Sequence, residues 1–145
     1  MNLTNFLHSL NDYHIDIWVS NNDDLLVGME VGNNLPESAH DYIQSNRQKI
    51  KKRLLNNAFA RSHNWNVANF GEVYCYQYSP TGYLFIERNE DETVDVYRCK
   101  FDKHQQATNI KNLHENISFY KAYQKARSFL KWFYSKNPHL KKCEY

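Results

Sequence analysis

Residues 1–43 contain no lysine and no arginine, and the whole chain has only four glycines, three prolines and three cysteines in 145 positions. Each shortage excludes something. Gly28, Gly32, Gly71 and Gly82 stand too far apart to form a phosphate loop or a dinucleotide fingerprint. Cys75, Cys99 and Cys143 are odd in number and lack CxxC spacing, which suits a reducing cytoplasm better than a secreted disulfide framework. No apolar run approaches the roughly 20 residues of a membrane span, so no membrane partner is expected. The N-terminus carries Asp12 and Asp16 and lacks the basic start and apolar core of a signal peptide. A bacterial or phage cytoplasm is the expected setting.

Catalytic chemistry is also missing. The seven histidines are dispersed, with no i, i+4 pair and no cysteine partner at metal spacing. There is no GxSxG elbow, and Glu87, Glu90, Asp91 and Glu92 read as a solvated acidic turn. The sequence therefore predicts no metal site, no cofactor and no catalytic residues, and the chain is not expected to be an enzyme.

What is present is a globular composition, 41% hydrophobic and 15% aromatic, with charge laid out in blocks. Seven acids fall in 1–43, and six basic residues without an acid in 44–62. Residues 63–102 hold three basic and seven acidic residues, and 103–145 nine basic and two acidic. Such alternation points to mutually attracting faces or distinct partners rather than one continuous nucleic-acid surface. An α+β fold is expected in two units, 1–62 and 63–145, packed together.

Leu3, Phe6, Leu7 and Leu10 fall at i, i+3, i+4 and i+7, predicting a short amphipathic helix. His14 to Val19 alternates, Ser20 to Asp24 breaks the run, and Leu25 to Val31 resumes it, as in a β-hairpin. Ile15, Ile17 and Val19 would face inward, leaving Asp16 and Trp18 on the opposite face, where Trp18 is either an interface residue or is covered by the chain's own C-terminal half. Pro36 and Glu37 suit a helix start, and Ala39, Ile43, Ile50 and Leu54 carry one helix on toward Ala60. Five of the seven residues from Arg47 to Arg53 are basic, which fits either a phosphate-contacting patch or a solvated helix face.

Helix, Ile-Asp-Ile-Trp-Val, a polar turn, Leu-Leu-Val, a glycine, Leu-Pro-Glu and a basic helix together resemble the TubC-type N-terminal docking domain of nonribosomal peptide and polyketide synthetases. The likeness covers about residues 3–57. It implies an αββαα fold and binding of a short protein segment through an exposed hairpin. On that resemblance the partner-binding residues are Asp16, Trp18, Asp23, Asp24, Leu26 and Met29. Where the family carries arginine on the second strand this chain reads Val27-Gly28-Met29-Glu30.

Beyond residue 62 the pattern predicts a three-stranded antiparallel meander over about 72–101. Tyr74, Tyr76, Tyr78, Tyr83 and Phe85 are expected on one face, packed under the last helix or serving as a stacking platform. A polar connection at 102–109 leads to that helix, starting near Leu113 or Asn116 and stopped by Asn137-Pro138. Its apolar stripe is Phe119, Tyr123, Ala126, Leu130 and Phe133, widened by Ile117, Tyr120 and Trp132.

The expected function is a non-catalytic macromolecular-interaction protein, a docking, adaptor or inhibitor chain with a protein partner; a homodimer is left open. A small, tyrosine-rich, charge-segmented chain of this kind suits a phage or mobile-element accessory protein, and an anti-CRISPR-type inhibitor of a host defence complex is one form. The second reading is a nucleic-acid-binding accessory protein using Arg47, Lys49, Lys51, Lys52, Arg53, Lys125 and Lys131.

Overall fold

The computed structural model describes residues 1–140; Lys141, Lys142 and Cys143 lie outside the described residues. The fold is α+β. Its first half runs α1 (Leu3–Asp12), β1 (Asp16–Val19), β2 (Leu25–Gly28), α2 (Glu37–Ser45) and α3 (Arg47–Ser62). The second half is β3 (Asn66–Ala68), β4 (Val73–Gln77), β5 (Gly82–Arg88), β6 (Val94–Phe101), β7 (Ala107–Ile117) and α4 (Phe119–Lys136).

Local chemistry explains the boundaries. Asn2 caps α1 by accepting from the Asn5 N–H at 2.8 Å. Leu3, Phe6, Leu7 and Leu10 are buried as their spacing predicts. In the hairpin turn the Ser20 hydroxyl accepts from the Asn22 and Asp24 N–H groups, and Asp23 sits in the left-handed region at φ 64°. The second strand stops at Gly28, so Met29 lies past its end and packs against the first core. The single helix expected over 37–60 is two, broken at Asn46 (φ −125°, ψ 22°), whose side-chain amide donates to the Tyr42 carbonyl at 2.9 Å. Asparagine competes for backbone groups in this way and so favours helix ends.

The second half corrects the meander in three respects. The sheet has five antiparallel strands in sequential order, not three. What read as a polar connection and a helix start is largely β7, and α4 begins only at Phe119, capped by Ser118. β7 looks unlike a strand because it is an edge, mostly exposed, with register shifts against β6 and with Asn109 and Asn116 at positive φ. The tyrosine face is also split. Tyr74 pairs with Ile86 and Tyr76 with Leu84, which puts Tyr74 and Tyr76 on the helix side. Tyr83 pairs with Gln77 and Phe85 with Cys75, so these two rings lie on the other side, beside Tyr97 and Phe101. Strand alternation makes a side chain's face depend on its register parity.

Two apolar cores result. The first joins α1 and the hairpin to Ile43, Ile50 and Leu54, and the second packs Tyr74, Tyr78, Leu84, Ile86, Val94 and Val96 under α4. The α4 stripe is rotated from expectation: Phe119, Ala122, Ala126 and Phe129 are buried, Leu130 is half-buried, and Tyr120 and Trp132 are exposed. Helix α3 serves both cores, since Phe59 and Ala60 pack in the second. Phe70, from the second half, packs in the first.

Candidate functional site, the exposed hairpin

The β1–β2 hairpin offers two unlike faces. Ile15 is buried and Ile17, Leu25, Val27 and Met29 pack against the first core, while Asp16 and Trp18 point the other way. Register places Trp18 opposite Leu26 and Asp16 opposite Gly28. Trp18 is 44% and Leu26 41% exposed, so a tryptophan and a leucine form a cross-strand pair against solvent. Gly28 makes room for the indole: a Cβ built there would stand 3.0 Å from Trp18 Cζ3. A shallow groove of about 570 Å³ runs beside the ring, lined by Asn11, His14, Asp16, Gly28 and Glu30. The hairpin surface is therefore an apolar centre with an acidic border.

No family model, curated protein or solved structure matches the chain. What the hairpin can do follows from its own geometry. Exposed aromatics ringed by polar groups are how protein–protein hot spots are built. Among the other residues predicted for this surface, Asp24 is exposed, Met29 belongs to the core, and Asp23 is held by Lys51 Nζ at 3.0 Å.

That last pair also dismantles the basic patch. Lys51 is tied to the hairpin turn, and Arg53 is only 2% exposed. Arg53 Nε and Nη2 donate to the two Glu92 carboxylate oxygens at 3.2 and 2.7 Å, and Nη1 donates to Thr4 Oγ1 at 3.0 Å. This guanidinium is a structural cross-link, unable to reach a phosphate. Sequence reasoning missed it because a basic run looks alike whether one member turns inward or none does. Arg47 and Lys52 are exposed and Lys49 half-buried, with Lys49 and Lys52 lining one cavity. Lys125 and Lys131 are exposed on α4, but six residues of helix separate their directions by about 120°. The seven predicted contacts do not form one surface.

Around Arg53 lies a buried polar network with no sequence signal of its own. Arg88 Nη2 donates to the Tyr74 hydroxyl at 2.7 Å, which donates to Asn57 Oδ1 at 2.5 Å. Asn57 Nδ2 donates to the Phe70 carbonyl at 3.0 Å and Arg88 Nε to the Gly71 carbonyl at 3.1 Å. These bonds pin Asn69, Phe70 and Gly71, all three at positive φ (49°, 55° and 96°). For the two non-glycine residues that conformation costs about 1–2 kcal/mol each. The pinned turn delivers the Phe70 ring to the first core. Burial pushes the Tyr74 hydroxyl up and the Arg88 guanidinium down from their ordinary pKa values. Among the described residues no cluster of three or more metal-ligating side chains occurs, and no described helix is long and apolar enough to cross a membrane.

Proposed function

We propose that this chain is a non-catalytic interaction protein that binds a protein partner through the outer face of its β1–β2 hairpin. The observation that carries the reading is the solvent-exposed Trp18–Leu26 pair on a strand pair whose other face is anchored in the core. The order α1, β1, β2, α2, α3 is the order the docking-domain resemblance implies, and it supports the same surface. Asp16, Asp24 and Glu30 around that pair suit a partner segment with an apolar anchor and basic flanks. A cytoplasmic docking or inhibitory role in a phage or mobile-element setting, including anti-CRISPR-type inhibition of a host defence complex, is the form of binding we favour.

The test is affinity capture with the tagged chain and with Trp18→Ala. Trp18 lies outside the core, so the variant keeps its circular dichroism spectrum. A protein retained by the parent chain and lost from the variant supports the reading; equal retention by both refutes it. Self-association through this face would appear in sedimentation as a dimer that Trp18→Ala dissociates.

A further inference from the structure

A second groove opens between α1 and α2, and the way α1 ends shapes it. His14 sits in the left-handed region at φ 56°; its N–H donates to the Asn11 carbonyl at 3.0 Å, and the Ile15 N–H donates to the Leu10 carbonyl at 2.9 Å. This is the hydrogen-bond pattern of a Schellman motif, which turns the chain back so that Ile15 returns beside Leu10. Tyr13, at the bend, is left 69% exposed. The groove holds about 370 Å³ and is lined by Leu10, Tyr13 and Ile15 from the first helix and its turn, and by Ser38, Ala39 and Tyr42 from α2. It has room for a large apolar side chain, and no charged side chain lines it.

Charge at the rim selects what enters. Histidines apart, every charged side chain next in sequence to a lining residue is acidic: Asp12 beside Tyr13, Asp16 beside Ile15, Glu37 beside Ser38 and Asp41 beside Tyr42. All four are exposed. Asp12, Asp16 and Glu37 have no ion-pair partner among the described residues, and Asp41 faces only His40, at 4.0 Å. Against these four carboxylates stands the ammonium group of Met1; no lysine or arginine precedes Arg47 in the chain. An apolar groove with an uncompensated acidic rim repels an acidic segment and draws in a basic one.

We propose that this groove takes an apolar side chain of a basic protein segment and is the second anchor of the segment that the hairpin binds. The inference rests on the hairpin reading for there being such a segment, and adds its course and its chemistry. The α1–β1 turn stands between the two grooves: Asn11, His14 and Asp16 line the one beside Trp18, and Leu10, Tyr13 and Ile15 line this one. A chain crossing that turn meets acids on both sides of it.

The experiment is an amide NMR titration of the full chain with two acetylated and amidated peptides, Lys-Lys-Leu-Leu-Lys-Lys and Glu-Glu-Leu-Leu-Glu-Glu. The expected result is a saturating shift at the Tyr13, Ser38 and Ala39 amides with the basic peptide, which should bind about tenfold more tightly than the acidic one. Glu37→Gln/Asp41→Asn should weaken the basic peptide by about threefold. Ser38→Phe, at an exposed position, should fill the groove and abolish the shifts, whereas Trp18→Ala should leave them in place. Shifts that do not saturate, that fall only on the hairpin, that are as strong with the acidic peptide, or that persist in both the Ser38 and the double variant overturn the proposal. Loss of groove binding with capture still sensitive to Trp18→Ala would overturn the second anchor and leave the hairpin reading standing. Groove binding with capture indifferent to Trp18→Ala would refute the hairpin reading, and with it one segment spanning both grooves.

Discussion

Arg53 and Glu92, 39 positions apart in sequence, meet side by side, with both guanidinium donors on one edge reaching both carboxylate oxygens. Arg53 comes from the middle of α3 and Glu92 from the turn between β5 and β6, so the pair ties the helix to the sheet. Glu92 also faces Arg88, 3.7 Å away, and Thr4 brings α1 to the same cluster. Removing the carboxylate strands the Arg53 guanidinium, which is 2% exposed. Glu92→Gln should cost about 3–5 kcal/mol in a urea melt. A loss below about 1 kcal/mol would mean that the cross-link adds little and the two apolar cores hold the halves together alone.

The Trp18–Gly28 approach makes the hairpin face sensitive to one methyl group. Gly28→Ala would press a Cβ on the indole, which has open solvent to move into. The expected outcome is a stability change within about 1 kcal/mol, together with a shifted tryptophan emission and weaker partner binding. Unchanged emission would show that the ring does not rest on Gly28 in solution.

Packing of α4 separates neighbouring positions. Phe129 is buried among Tyr78 and Phe133 and lies under the Arg98 guanidinium, 5.0 Å from the ring centroid. Phe129→Ala should cost about 3–5 kcal/mol, and the half-buried Leu130→Ala distinctly less. Thermal or denaturant melts of the two variants rank them, and the reverse order would rotate the helix from the orientation described.

Alkaline pH should act through the uncovered sheet face. Tyr97 is pushed up to about 12 from 10.0, first by burial and then by Glu87, to which its hydroxyl donates at 3.1 Å. A raised folded-state pKa means that the folded chain holds its proton longer than the unfolded one. Its stabilisation is complete below pH 10 and is lost as pH rises through 12. Tyrosinate absorbance should show a late-titrating phenol, and Glu87→Gln should bring it earlier without restoring the ordinary value, because burial remains. A Tyr97→Phe chain with the same late phase would assign that phase elsewhere.

Nucleic acid supplies the contrast. With Arg53 buried and Lys51 held by Asp23, duplex DNA should bind weakly at physiological salt. Each phosphate contact contributes about 0.9 to the slope of log affinity against log salt. A complex at about 10⁻⁸ M or tighter, lost on neutralising Lys125 and Lys131, would replace the hairpin reading with a phosphate-binding one.

Periodicity in the chain was sufficient to place α1, the hairpin, the end of α3 and the body of α4; in α1 the apolar spacing also records the buried side, whereas in α4 that side is turned toward Ala122 and Phe129. The hairpin's alternation puts Trp18 on the outer face, but that no other part of the chain covers the ring, which is 44% exposed, needed the coordinates. Other features needed the third dimension. β7 is an exposed edge strand, so burial leaves no pattern in its sequence. The break at Asn46 depends on one side-chain amide choosing a backbone carbonyl. Tyr83 and Phe85 separate from Tyr74 and Tyr76 through strand register, which a turn sets and composition does not. Arg53 differs from Lys52 only in where α3 turns it. Its charge is tolerable inside because Glu92, Thr4 and Phe70 arrive from distant parts of the chain to satisfy it, a condition that exists only once the tertiary structure has formed.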